Sequence, residues 1–203
     1  MTRTFLLSPA YAGGRRAQML LGGRGEFELA RRMRAGAAAS LGEVFTFLSG
    51  LYFRGKLAYA NVFARPDLSR VLIITPTRGL LPATLPVTLA DLREFAEVDI
   101  EEDDPRYRQP LERDVRRLVS RLAPQCEIVL LGSVATGKYV SVLLNLLGER
   151  IHFPADFVGR GDMSRGGLLL RCAVDRTELN YIPVQGAVRK GKRPPKLTPR
   201  RYS

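Results

Sequence analysis

The chain has 203 residues, 45% of them apolar and 26% charged, the balance of an ordinary globular protein rather than a disordered or membrane one. That length buries a sizeable core without metals or disulfides, so one domain is expected. One histidine and two separated cysteines are too few for a zinc centre or a disulfide framework, and the formal net charge of +12 points to a phosphate-bearing partner.

The charge is concentrated at the ends. Residues 1–36 hold seven Arg and two Glu, residues 189–203 hold seven cations and no acid, and the stretch between is balanced at eighteen of each sign. No apolar run reaches the roughly 18 residues that cross a bilayer, and the start Met1-Thr2-Arg3-Thr4 lacks a signal-peptide core. A cytoplasmic protein away from membranes is expected, with DNA or RNA as partner and no cofactor or metal.

Arg3 to Ser8 reads as a short buried strand running into the loop Pro9 to Arg16, a candidate site with Ser8, Tyr11, Arg15 and Arg16. Glu26 to Arg34 reads as a helix. Leu41 to Ala64 carries apolar residues at helical spacing, with expected breaks at Gly50 and Gly55 and with aromatics that include Tyr52. Arg70 to Thr75 is a β-branched run closed by Pro76, the pattern of a strand buried on both faces of a parallel sheet. Thr77-Arg78-Gly79 forms the loop at its carboxyl end.

Thr88-x-x-Asp91 is a capping box that starts a helix. The acidic stretch Glu94 to Asp104 reads as a solvated linker, and Pro105 to Ala123 as an amphipathic helix. Glu127 to Leu131 is a second buried strand, followed by a loop, Gly132 to Lys138, and a helix through Leu147. Ile151 to Phe153, Gly167 to Val174 and Leu179 to Val184 read as further strands. The resulting class is α/β, a three-layer sandwich around a mostly parallel sheet, in residues 1–188. Its ligand is expected at the carboxyl ends of the strands. Residues 189–203, rich in proline and without apolar periodicity, read as a flexible basic arm whose Arg189, Lys190, Lys192, Arg193, Lys196, Arg200 and Arg201 neutralise phosphates. Cys126 and Cys172 lie in apolar stretches and read as buried reduced thiols.

Two segments carry candidate chemistry. Gly132-Ser133-Val134-Ala135-Thr136-Gly137-Lys138 has the G-x-x-x-x-G-K spacing of a phosphate-binding loop, but Tyr139 stands where a nucleotide hydrolase needs a hydroxyl for magnesium. Glycines, backbone N–H groups and Lys138 still describe an anion site, through Gly132, Ser133 and Thr136. The second segment, Phe153 to Gly167, packs Asp156, Arg160, Asp162, Ser164 and Arg165 among four glycines. The two arginines suit bidentate phosphate contacts, and an internally salt-bridged turn is the alternative. His152, alone on an apolar strand, reads as a core residue.

The order of these features is similar to the uracil-DNA glycosylase superfamily: an early strand ending in Ser8-Pro9-Ala10-Tyr11, a late strand ending in Gly132-Ser133-x-Ala135 with Lys138, then Pro154 with Arg165-Gly166. Phe153 replaces that family's catalytic histidine, with His152 one place earlier, and the first motif lacks the water-activating Asp or Asn. The segment from Val71 through Arg78, Gly79, Leu80 and Leu81 also resembles uncharacterised domains found beside enzymes of 7-deazaguanine modification of nucleic acids. The resemblance implies a glycosylase-like fold acting on a base or nucleotide. Tyr11 or Tyr52 would stack the base, Lys138, Arg160 and Arg165 would hold phosphate, and Asp162 or Asp156 would be the general base. A binding module without catalysis is one alternative, and a phosphate-loop nucleotide-binding protein is another.

Overall fold

The computed structural model describes residues 3–23, 25–64, 71–135 and 137–198. The elements are, in order, β1 (Arg3–Leu7), α1 (Arg15–Leu21), α2 (Glu28–Arg34), β2 (Ala39–Ser40), α3 (Leu41–Ser49), α4 (Leu51–Phe63), β3 (Val71–Thr75), β4 (Gly79–Pro82), β5 (Pro86–Val87) and α5 (Leu89–Ala96). They continue with α6 (Pro105–Val119), β6 (Glu127–Leu131), α7 (Gly137–Leu147), β7 (Ile151–Pro154), α8 (Asp162–Asp175) and β8 (Tyr181–Pro183). Six strands form one sheet in the order β4-β3-β1-β6-β7-β8. The inner four are parallel, and β4 and β8 close the edges antiparallel. This is an α/β protein with a mostly parallel central sheet, as the alternation of strands and helices implies.

The apolar runs that mark β1, β3 and β6 are the centre of the core: Phe5, Leu6, Leu7, Ile73, Ile74 and Ile128 to Leu131 are fully buried. The chain moves one way across the sheet from β1 to β3 and the other way from β3 to β6 to β7. Right-handed crossovers then set α4 on one face and α6 with α7 on the other, which accords with α4 packing on α8 and α6 packing on α7. Local chemistry sets the helix starts. Ser40 Oγ accepts from Glu43 N at 3.2 Å, and Thr88 and Asp91 form the reciprocal capping box expected of them. Asp104 caps α6 ahead of Pro105.

Two expectations are corrected. Residues 167–174 are helix, inside α8, and not a strand. The buried side of α8 is Arg165, Gly166, Leu169 and Cys172, a helical spacing hidden because half of it is an arginine and a glycine, while the run Leu168 to Leu170 imitates a buried strand. Gly55 does not break the helix either: α4 runs unbroken from Leu51 to Phe63, and only Gly50, at φ 65°, separates it from α3. Gly55 serves packing instead. A Cβ there would stand 2.6 Å from the Gly166 carbonyl oxygen, so α4 and α8 meet backbone to backbone through two glycines.

Cys126 and Cys172 are both buried. Residues 189–198 form no helix or strand, yet they lie against the domain: Gly191 touches Val158, and the Leu197 side chain covers Gly167. No helix among the described residues is long and apolar enough to cross a membrane.

Candidate functional site

The order of the parallel strands reverses at β1. The chain leaves β1 toward β3 and leaves β6 toward β7, so the crevice between the carboxyl ends of β1 and β6 is the switch point at which open α/β sheets bind ligands. Ser8 and Gly132 are the first residues beyond these two ends, tied by Ser8 N donating to Leu131 O at 3.1 Å. A Cβ on Gly132 would lie 2.7 Å from Ser8 Cβ and 2.9 Å from the Tyr139 hydroxyl, so glycine is what lets the two loops close. A cavity of about 360 Å³ opens here. Its walls come from the β1 loop (Ser8 to Tyr11), α4 (Tyr52, Lys56), the β6 loop with α7 (Ser133, Lys138, Tyr139), Asp99 with Ile100, and Asp162 at the start of α8.

Lys56 is at the bottom of this cavity, a residue that the sequence reading passed over. It is 1% exposed. Its Nζ donates to Ser8 O at 2.6 Å and to Ser8 Oγ at 2.9 Å, and it lies over the rings of Tyr52 and Phe53 at 4.7 and 4.5 Å. Among the described residues no carboxylate is within ion-pair distance of it. Burial between two aromatic faces pushes its amine down to about 7, opposed only by the charge of Asp162. The sequence did carry a signal: Tyr52, Lys56, Tyr59 and Ala60 share one helical face, and a lysine on an apolar stripe is rarely buried without a purpose. Tyr139, noted in the sequence only as a misfit to magnesium binding, donates its hydroxyl to Ser133 O at 2.9 Å, and burial pushes it up. The Tyr52 hydroxyl is buried without a hydrogen-bond partner of acceptable geometry among the described residues, with the Arg165 charge nearby.

The other expected site residues divide by location. Asp162 reaches the cavity as the first residue of α8, its side chain 67% exposed and 3.4 Å from Arg165 Nη1. Tyr11, 70% exposed, stands at the mouth with its ring over Gly13 and Gly14. Lys138 lines the cavity but donates to Glu101 Oε1 at 3.2 Å, and the Glu102 carboxylate lies beside Gly137. Two acids at the start of α7 oppose phosphate at the loop whose spacing suggested it. Thr136 lies outside the described residues.

Arg165 is buried as a brace. Its guanidinium donates to Phe157 O at 3.1 and 3.3 Å and lies over the Phe157 ring. Arg78, at the end of β3, pairs with Asp91 at 2.7 Å and with Glu94, and covers Phe95, so it anchors α5 and does not line the cavity. Asp156 is exposed on a single 3₁₀ turn away from the cavity. Arg15 is exposed, and Arg16 donates to Phe47 O at 3.1 Å. His152 is half-buried on β7 with Nδ1 3.2 Å from the Arg150 carbonyl, and Phe153 is fully buried.

A second hollow has a volume of about 270 Å³. Leu51 and Met163, neighbours in sequence of the cavity residues Tyr52 and Asp162, lie in its wall, together with Arg160, Ser164, Arg193 and Lys196. Arg160 Nη1 donates to Ser164 Oγ at 3.3 Å, and its Nε is buried without a partner among the described residues. Arg193, Pro194, Lys196 and Leu197 thus form a wall, while Arg189, Lys190 and Lys192 line neither hollow. Arg200 and Arg201 lie outside the described residues. No three of His, Cys, Asp and Glu gather to hold a metal ion among the described residues. Compared with models of protein families, with curated proteins and with solved structures, the chain matches none.

Proposed function

We propose that this chain is a nucleic-acid-associated protein of uracil-DNA glycosylase-like fold, which takes one base or nucleotide into the β1–β6 cavity and acts on its N-glycosidic bond or on the base itself. The observation that carries the reading is the cavity at the switch point. At about 360 Å³ it is near the small end of ligand pockets, suited to a base with its sugar and too small for a dinucleotide. The exposed Tyr11 ring offers a stacking face at the mouth, and stacking is the sequence-tolerant way to hold an extruded base. Asp162, on the rim and open to solvent, orients or activates water as general base. The cations of the second hollow, Arg160, Arg193 and Lys196, receive the flanking phosphates, which position the strand without reading it.

Binding without turnover is the second reading. A specific observation favours it: the cavity lining contains no histidine, and Phe153, where the resembling family has its catalytic histidine, is fully buried.

The test is a panel of single-stranded and duplex oligonucleotides carrying uracil, damaged bases or deazapurines, read by anisotropy for binding and by chromatography for base release. Tyr11→Ala should weaken binding about tenfold or more, the loss of one stacked base at ~1–3 kcal/mol. Asp162→Ala should abolish turnover and leave binding intact. Tight binding with no base released selects the second reading, and failure to prefer any modified oligonucleotide over its plain counterpart overturns both.

A further inference from the structure

Ser8 and Lys56 meet the geometric requirement for an activated nucleophile: a hydroxyl within hydrogen-bond reach of a base that is itself held in place by a third group. We infer that Ser8 is a nucleophile activated by Lys56 and directed at an ester or amide carbonyl bound in the β1–β6 cavity. This inference goes beyond the nucleobase reading and does not depend on it.

Nζ is 2.9 Å from Ser8 Oγ, and the Ser8 carbonyl, 2.6 Å away, fixes its position. Nζ lies over the faces of Tyr52 and Phe53, and the residue is 1% exposed. A lysine serves as a base only when its amine is neutral, and a carboxylate partner would hold it as ammonium. Here both hydrogen-bond partners are neutral oxygens, and burial has already brought the amine down to about 7. The ionisable groups of the cavity around it are Tyr11 at the mouth, Tyr52 on α4, Asp99 ahead of α6, Lys138 and Tyr139 on α7, and Asp162 with its partner Arg165 on α8; Lys138 is paired with Glu101. The phenols of Tyr52 and Tyr139 are pushed up and stay neutral, and the charge of Asp162, 3.4 Å from Arg165 Nη1, opposes the lowering of the amine without cancelling it. Ser8 is fixed in turn. It follows the last residue of a fully buried strand, its Cβ rests on Gly132, and the Tyr139 hydroxyl stands beside it.

In the reaction the Ser8 proton passes to Lys56 Nζ as Oγ bonds to the carbonyl carbon. The bond to the leaving alcohol or amine then breaks, and the leaving group takes the proton from Nζ. Water repeats the cycle on the acyl-enzyme: Lys56 takes its proton, the acid is released, and the proton returns to Ser8.

The full chain would be treated with an alkyl fluorophosphonate, which places phosphorus on an activated serine as fluoride leaves, and with p-nitrophenyl acetate. Mass spectrometry should find the adduct on Ser8. Its rate in the wild type should rise with pH through about 7 as the amine loses its proton. Ser8→Ala should abolish the adduct. Lys56→Met and Lys56→Arg, shown to be folded by thermal unfolding, should slow it by at least ~100-fold, the usual worth of a positioned general base. Arginine fails with methionine because it stays protonated. If folded wild-type protein gave no Ser8 adduct at pH 8, or if Lys56→Met reacted at the wild-type rate, the inference would be overturned. The wild-type measurement decides even where a variant does not fold.

Discussion

The glycine pair between α4 and α8 gives a prediction whose sign depends on two opposing magnitudes. Replacing Gly55 by alanine within a helix is favourable by about 1 kcal/mol from backbone entropy alone. Against this, the new Cβ would stand 2.6, 3.0 and 3.2 Å from the O, Cα and C atoms of Gly166. All three are backbone, so no side chain can swing away. The closest approach is about 0.8 Å short of ordinary contact at 3.4 Å, and the helices must part to admit it. Overpacking of this kind costs ~1–3 kcal/mol, with the upper end expected where only backbone can give way. The net is a loss of about 2 kcal/mol, and with 2–4 °C per kcal/mol for a domain of this size the melting temperature should fall by roughly 4–8 °C. Gly166→Ala should behave alike, its Cβ meeting Leu51 O at 2.7 Å and Tyr52 Cα at 2.8 Å. The double variant should lose less than the sum, because helices already parted accept the second methyl at little further cost. Urea unfolding of the four proteins is the assay. A Gly55→Ala protein as stable as the wild type, or strictly additive losses, would refute the argument.

Two further outcomes follow from the buried amine and the basic tail. Lys56 has a folded value of about 7 against 10.5 for an ordinary lysine. Between these pH values the unfolded chain binds a proton that the folded chain does not, so stability should rise with pH, by on the order of 4 kcal/mol. Above about pH 10 it should fall again, because burial holds Tyr59 up at about 12 and Tyr52, Tyr107 and Tyr181 higher still, so the folded chain then keeps protons that the unfolded one loses. Urea midpoints at pH 7, 8.5 and 10 test this: Lys56→Met should flatten the rise, and a flat wild-type profile would mean that no neutral amine is buried. Truncation after Ala187 removes seven cations and should lower the slope of log K against log salt on duplex DNA by roughly 4 to 5, for about five phosphate contacts. An unchanged slope would mean that the tail makes no phosphate contacts.

The sheet was legible because its signals are local. The runs of β1, β3 and β6 are apolar on both faces, and the capping box at Thr88 and the Asp104-Pro105 start of α6 need only neighbouring residues. What was not legible depends on partners far away in sequence. Gly55 looks like a helix breaker until Gly166 lies against it, and Arg165 looks like a phosphate ligand until the Phe157 carbonyl takes its donors. Lys56 gains its place only where α4 turns it toward Ser8, 48 residues earlier. Of the loop residues at strand ends, Ser8, Tyr11, Ser133 and Lys138 line the cavity. Arg78 and Asp156, from equally polar loops, do not, because ion pairing claims one and an outward turn the other.

The two antiparallel edge strands also limit how this molecule can associate. An uncovered sheet edge invites another chain to extend it, the route to aggregation and strand exchange. On β4 the Leu80 N–H is taken by the Asp114 carboxylate of α6 at 3.1 Å, α6 lies against Gly79 through the Pro110 carbonyl, and the strand ends at Pro82. The β8 strand is three residues long and ends at Pro183, which offers no N–H to a newcomer. With both margins of the six-stranded sheet closed in this way, that sheet offers a second copy of the chain little on which to extend it.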